Sequence, residues 1–214
     1  MTIELDPTEV RVLGSLIEKD LTTPDYYPMT LSALTAACNQ KSNREPVLSL
    51  AEHQVLAALD SLSRKNLAWE KGGAGGRVPR YAHKLSGTLT KTYDFSRRQL
   101  GVLAVLMLRG PQTPGELRAR APRTCEFDGL EQVESVLRGL SQRENGPFVV
   151  ELPRELGRRE HRHAHLFGGP VEIPPPAERT AAPEAGLAER IMALEERVAT
   201  LESELATLRE SGGR

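Results

Sequence analysis

Cysteine, aromatic residues, long apolar runs and an excess of either charge are all scarce in this 214-residue chain, and each shortage excludes something. Two cysteines, Cys38 and Cys125, are too few for a disulfide framework. Aromatic residues make up 4% of the chain, so its apolar content is carried by Leu, Val and Ala, which favours helix over an all-β build. The longest purely apolar run, Val102 to Leu108, is seven residues, far short of the ~20 needed to cross a bilayer. The first residues, MTIELDPTEV, show neither a basic stretch nor an apolar signal core, and a cytoplasmic protein without membrane contact is expected. With 28 Lys+Arg against 29 Asp+Glu, a formal charge of −1 and a pI near 6.5, a uniformly basic nucleic-acid coat is excluded.

Charge is unevenly spread. Residues 1–94 hold 11 basic and 11 acidic groups, 95–170 hold 12 and 9, and 171–214 hold 5 and 9, giving balances of 0, +3 and −4. Residues 168–186 contain five Pro and three Gly and read as a semi-extended linker.

Helix entry signals recur. Asp6-Pro7-Thr8-Glu9 offers a capping carboxylate, Pro at the first helical position and a Glu that can bond back to the cap. The apolar positions Val10, Leu13, Leu16 and Ile17 follow, predicting a helix over about 7–20. Ser96-Arg97-Arg98-Gln99 repeats this box ahead of Leu100, Leu103, Leu106 and Met107. Thr30 and Thr113 each open a short second helix. Ser49 to Glu52 and Asp128 to Glu131 launch the third, over about Leu50 to Lys65 and Leu130 to Arg143. Strand-like runs follow at Leu67 to Glu70 and Phe148 to Leu152, and their second strands share letters, RYAHKL from Arg80 and RHAHLF from Arg162. Each half reads helix, helix, helix, strand, loop, strand, the order of a winged helix-turn-helix.

The segments TPDYYPMTLSALTAACNQKSNREPV (Thr23 to Val47), GGRVPRYAHKL (Gly75 to Leu85), RGPQTPGELRAR (Arg109 to Arg120) and HAHLF (His163 to Phe167) resemble the YceH-like family of uncharacterised bacterial proteins. The resemblance covers about residues 5–167. It implies a tandem winged-helix fold, with a heptad tail like that of many members, and no established activity.

From Leu187 the spacing becomes that of a zipper. Leu187, Leu194, Leu201 and Leu208 lie seven apart, with Ile191, Val198 and Leu205 between them, a seam of period 3.5. Leu at every d position and β-branched residues at two of three a positions favour a parallel dimer. In a parallel pair Arg190 faces Glu195, Arg197 faces Glu202 and Glu204 faces Arg209, all attractive, whereas an antiparallel pair opposes like charges. The seam spans 22 residues, or ~33 Å, so the tail alone should dimerise weakly. A single helix folded back on the body is the alternative.

The expected architecture is therefore mainly α with small β wings: a first winged-helix domain at 5–94, a second at 95–167, a linker at 168–186 and a coiled coil at 187–209. A winged helix reads DNA with its third helix and presses its wing on phosphates. Both third helices are charge-balanced, and the second starts acidic with Asp128, Glu131 and Glu134. The wings differ: between Arg64 and Lys91 seven cations stand against Glu70 alone. Arg77, Arg80 and Lys84 of the first wing and Arg158, Arg159 and Arg162 of the second, joined by Arg154, are candidate phosphate contacts. Charged wings also serve simply to keep hairpin edges soluble. The connector Asn39 to Arg44 combines a helix stop, with Asn39 in a left-handed cap, and exposed contacts at Lys41 and Arg44.

No catalytic constellation stands out. His161, His163 and His165 alternate, but no Cys or carboxylate cluster completes a metal site, and His165 matches His83 as a packing position. The glycines of the first wing lack the Gly-Lys-Ser/Thr of a P-loop. Cys38 reads as core, and Cys125 as a more exposed thiol without a fixed basic partner. The sequence thus leads to a non-enzymatic, cofactor-free, dimeric protein that binds duplex DNA in a regulatory role. A tandem winged-helix adaptor for an unidentified protein is the alternative.

Overall fold

The computed structural model describes residues 4–72, 78–86, 93–121, 124–154, 160–171, 192 and 194–202. Those within 4–171 form six α-helices, one 3-10 turn and two two-stranded antiparallel sheets. The first half runs α1 (Pro7–Thr22), the turn Pro24–Tyr26, α2 (Leu31–Cys38), α3 (Glu52–Arg64), β1 (Ala68–Lys71) and β2 (Arg80–His83). The second runs α4 (Arg97–Arg109), α5 (Pro114–Arg120), α6 (Leu130–Ser141), β3 (Val149–Glu151) and β4 (His163–His165). No helix among the described residues is long and apolar enough to cross a membrane.

The expected entry signals operate. Asp6 Oδ1 accepts from the Glu9 amide at 2.8 Å while Glu9 returns a carboxylate oxygen to the Asp6 amide at 2.7 Å. Ser96 with Gln99 and Thr113 with Glu116 form the same reciprocal boxes, and Thr30 caps α2 through the Ala33 amide. The third helices start differently from expectation. Ala51 and Gly129, not Ser49 and Asp128, occupy the cap positions. Gln54 compensates at Ala51 by accepting from its amide, and Gln132 does so at Asp128.

The two halves match in a feature that periodicity could not show. Met29, just before the cap of α2, exchanges both backbone hydrogen bonds with Tyr81 on β2, and Gln112, just before the cap of α5, does the same with His163 on β4. Each two-stranded hairpin thereby gains a one-residue third strand. A single bridge has no alternating pattern to betray it in sequence.

Residues 1–173 form one compact unit. At its centre α1 lies against α4, and Val12, Leu13, Leu16 and Ile17 are buried together with Val102, Leu103 and Leu106. The approach is close: a Cβ on Gly14 would fall 2.9 Å from Met107 Cβ. Backbone bonds cross in both directions. The Leu5 amide, ahead of α1, donates to Phe167 O beyond β4, and the Phe95 amide, ahead of α4, donates to Leu85 O beyond β2. Arg97 at the start of α4 donates to Leu21 O at the end of α1. The few aromatics concentrate here as well. Tyr93, Phe95, Phe148 and Phe167 stack and T-pack at centroid separations of 4.9–5.8 Å, with the Arg143 guanidinium 4.6 Å above Phe95.

The connector after α2 is built from buried polar bonds. Asn39 is not left-handed (φ −94°), and its side-chain amide pairs with the Leu50 backbone in both directions at 2.8 Å. The left-handed residue is Asn43 (φ 56°). Arg44, expected to be exposed, is buried: its guanidinium grips Glu18 at 2.6 and 3.1 Å and donates to Ala37 O and Asn43 O. Arg11 donates to Cys38 O and Pro46 O. Two guanidiniums thus take up the carbonyls at the end of α2 and fix the loop to α1. Burial would raise the Glu18 carboxyl, but Arg44 and Lys19 outweigh it and hold it below its usual range. Cys125, expected to be more exposed than Cys38, is also buried, against Gly101, where a Cβ would fall 2.5 Å from its sulfur.

The second unit spans residues 174–214, and its described residues, 192 and 194–202, are helical. Leu194, Val198 and Leu201 are exposed in the single chain, while Leu187, Ile191, Leu205 and Leu208 lie outside the described residues.

Two outcomes follow. Arg44→Met strips buried Glu18 of its bidentate partner, leaves it only the partly exposed Lys19, and should cost about 3 kcal/mol in urea unfolding, with Arg44→Met/Glu18→Leu costing less than the two single changes summed. A loss below ~1 kcal/mol for the single change would contradict the pairing. Burial also holds the His165 imidazole near pKa 4, below the usual 6.5, and lowers His163 in the same direction. Between those values the unfolded chain binds a proton that the folded chain does not. Stability is therefore complete above pH 6.5 and falls toward pH 4. A loss of about 2 kcal/mol from pH 7 to pH 5 is expected, largely removed in His165→Leu. Glu9 and Glu18, both depressed, lose their contributions only below about pH 4.5 and do not share this window.

Candidate nucleic-acid interface

The hairpin of the first half is set by β1 and β2, whose register pairs Ala68 with His83, Trp69 with Ala82, Glu70 with Tyr81 and Lys71 with Arg80. Alternation turns Tyr81 and His83 inward and leaves Arg80 outside. His83 is fixed from three sides. Its backbone amide donates to Tyr27 Oη at 2.6 Å, its Nδ1 accepts from the Leu85 amide, and Nε2 lies 3.2 Å from Asp20. Nδ1 as acceptor places the proton on Nε2, so the neutral ring already bonds Asp20.

Lys71 and Arg80 are directly opposite and both exposed. Like charges in register destabilise a hairpin. Arg80 is held in place by a 2.8 Å bond from Nη1 to Pro28 O, a carbonyl rather than a carboxylate, so its charge is retained. Lys84 bonds Asn66 at 2.7 Å, again without loss of charge, and Arg64 at the end of α3 is exposed. Lys65 is different. Its ammonium sits 2.7 and 2.8 Å from both oxygens of buried Glu9 and donates to Glu4 O, which makes it part of the fold. Arg77 lies outside the described residues, as do Arg158 and Arg159.

The hairpin of the second half repeats the frame with other chemistry. Val149 pairs with His165, Val150 with Ala164 and Glu151 with His163, and the Leu152 amide donates to Arg162 O. The place of Lys71 is thus taken by Leu152. Arg162 keeps the place of Arg80 but lies 3.7 Å from Glu116, which also holds Arg120. Glu151 is 3.4 Å from His161 and 3.6 Å from His163. Beside this hairpin is a cleft of about 430 Å³ with Glu134, Glu151 and Glu160 on its walls against Arg138, together with Leu130. Three carboxylates against one guanidinium repel a phosphate backbone.

Of the two connector cations, Arg44 is buried, as described, and Lys41 is exposed on the wall of a hollow beside the last turn of α1. Burial pushes both thiols, Cys38 and Cys125, above their usual pKa, which disfavours thiolate chemistry at either. Sequence reasoning missed Lys71 as half of a cation pair, because pairing depends on register, and it missed the role of Lys65, because Glu9 is 56 residues away.

Residues 5–158 match the family model described as "Protein of unknown function, DUF480". A UPF0502 protein of Aeromonas hydrophila is 51% identical over 199 residues, covering 91% of this chain and 90% of its own length. UPF0502 proteins of Vibrio campbellii and of an Enterobacter species are 48% and 46% identical, each alignment covering 91% of this chain. Those matches establish what the motifs at 23–47 and 75–85 suggested: the chain belongs to the UPF0502/DUF480 family of uncharacterised bacterial proteins, the YceH-like family.

Proposed function

We propose that each half is a winged helix and that the chain is a non-enzymatic, dimeric DNA-binding protein of regulatory type, touching phosphates chiefly through the first wing. The helix, helix, helix, hairpin order in both halves supports the winged-helix reading, as do the single-residue third strands at Met29 and Gln112. The observation that carries the DNA reading is the Lys71/Arg80 pair. Two cations kept in register at the loop end of a hairpin oppose hairpin stability, and a bound phosphate relieves that repulsion. On the third helix, α3 exposes His53, Ser63 and Arg64 beside Glu52 and Asp60, enough for a few base or sugar contacts but no strong electrostatic drive.

Affinity from one wing is small, and a dimer multiplies it. Exposed Leu194, Val198 and Leu201, spaced four and three residues apart, form a helix seam that a second copy of the tail would cover in parallel. The second half supports a further reading as an adaptor surface. Its carboxylate-lined cleft with exposed Leu130 suits a protein partner better than a duplex.

A mixed-sequence duplex titrated at two ionic strengths tests the DNA reading. Binding should appear at low salt and weaken steeply as salt rises, and Lys71→Ala/Arg80→Ala should flatten the salt slope by about one per cation removed. Absence of binding at low salt, or indifference to the double change, would overturn it. For the dimer, sedimentation should show concentration-dependent self-association that Leu194→Asp/Leu201→Asp abolishes, and a monomer at high micromolar concentration would contradict it.

A further inference from the structure

The connector that is most distinctive in the sequence also borders a hollow that the DNA reading does not use. Its walls come from the last turn of α1, with Lys19, Thr22 and Thr23, and from the loop Gln40, Lys41, Ser42 and Asn43. Its volume is about 430 Å³, within the span of ordinary small-molecule sites. Among the described residues Glu18 is the one carboxylate on these walls, and its oxygens are already engaged, by Arg44 at 2.6 and 3.1 Å and by Lys19 at 3.3 Å. Arg11, buried behind the same loop, bonds only carbonyls. Two buried guanidiniums and Lys19, which also donates to Gln40 Oε1 at 3.2 Å, stand against that one carboxylate and leave a net positive charge, to which exposed Lys41 adds. Exposed Glu45 is the single carboxylate of the 39–46 segment.

The loop also offers donors. Asn43 is left-handed (φ 56°), and among the described residues the amides of Lys41, Ser42 and Asn43 donate no hydrogen bond within the chain. Consecutive free amides at such a turn form a concavity suited to an anion. A second, smaller hollow shares Glu18 and Asn43 and adds Arg109 and Arg120 from the other half, with Arg109 Nη1 donating to Asn43 Oδ1 at 3.0 Å. The loop therefore stands at the seam where the halves meet.

We propose that this hollow binds the phosphate group of a small phosphorylated ligand, held by Lys19, Lys41 and the amides of residues 41–43. The hollow adjoins the C-terminal turn of α1, whose dipole disfavours an anion, so the attraction comes from the lysines, the buried guanidiniums and the loop amides, and its concavity admits a terminal phosphate rather than the convex ridge of a duplex backbone. The proposal stands apart from the DNA reading, since neither wing strand lines the hollow.

Inorganic pyrophosphate, titrated into the full chain with ionic strength held constant by sodium chloride and followed by backbone amide NMR, is the test. Saturable shifts are expected at Ser42, Asn43 and residues 19–23. Lys41→Ala and Lys19→Ala should each weaken binding roughly tenfold, as loss of one charge-assisted bond implies, and Arg80→Ala should leave it unchanged. Lys41 is exposed and its loss leaves the fold intact, which a thermal melt of the variant checks. Shifts that chloride reproduces at the same ionic strength, or saturation that ignores both lysine changes, would overturn the proposal. So would a Lys41→Ala variant that weakens duplex binding while pyrophosphate fails to saturate, because the cations would then serve the nucleic acid.

Discussion

The packing of α1 on α4 is the constraint from which the rest of the body follows. Both helices open with a reciprocal capping box, both bury nearly their whole middle, and Gly14 lets their backbones close to a distance that an added methyl group would not allow. With these two helices back to back, each half can hand its leading segment to the other, Leu5 to Phe167 and Phe95 to Leu85. Two small repeats, each with too few large side chains for a generous core, thereby share one. The aromatic cluster of Tyr93, Phe95, Phe148 and Phe167 closes the junction where the first half hands over to the second.

Shared architecture has not kept the halves alike. Ninety residues apart, Arg11, Ser15 and Glu18 on α1 correspond to Gly101, Val105 and Leu108 on α4. The first half uses those positions to hold an arginine-pinned loop, and the second uses them for close apolar contact. The hairpins diverge in the same manner. Lys71 opposite Arg80 becomes Leu152 opposite Arg162, with Arg162 drawn toward Glu116, and the neighbouring cleft carries three carboxylates. One frame thus carries an exposed cation pair at the hairpin of the first half and a carboxylate-rich cleft beside that of the second.

Helix entries and hairpin order were legible in sequence because they depend on neighbours three or four residues apart, as at Asp6 and Glu9 or Ser96 and Gln99. What lay hidden depends on distant partners. Arg44 looked like a surface cation in a polar run, and only the arrival of Glu18, 26 residues earlier, makes it core. Lys65 counted toward a basic wing until Glu9, 56 residues earlier, claimed it. Met29 and Gln112 each contribute one bridge, too short for any pattern, and the Lys71/Arg80 pair emerges from register alone. The net charge of −1 concealed all of this, since a charge count does not distinguish a buried ion pair from an exposed cation.

The division of labour between two similar halves is the point on which the functional reading turns. Amide hydrogen exchange of the full chain, compared with and without a saturating mixed-sequence duplex at low salt, tests it most directly. Slowed exchange should fall on β1, β2 and the exposed face of α3 and leave β3, β4 and α6 unchanged. Equal protection of both hairpins, or protection confined to the second, would contradict the assignment of nucleic-acid contact to the first half.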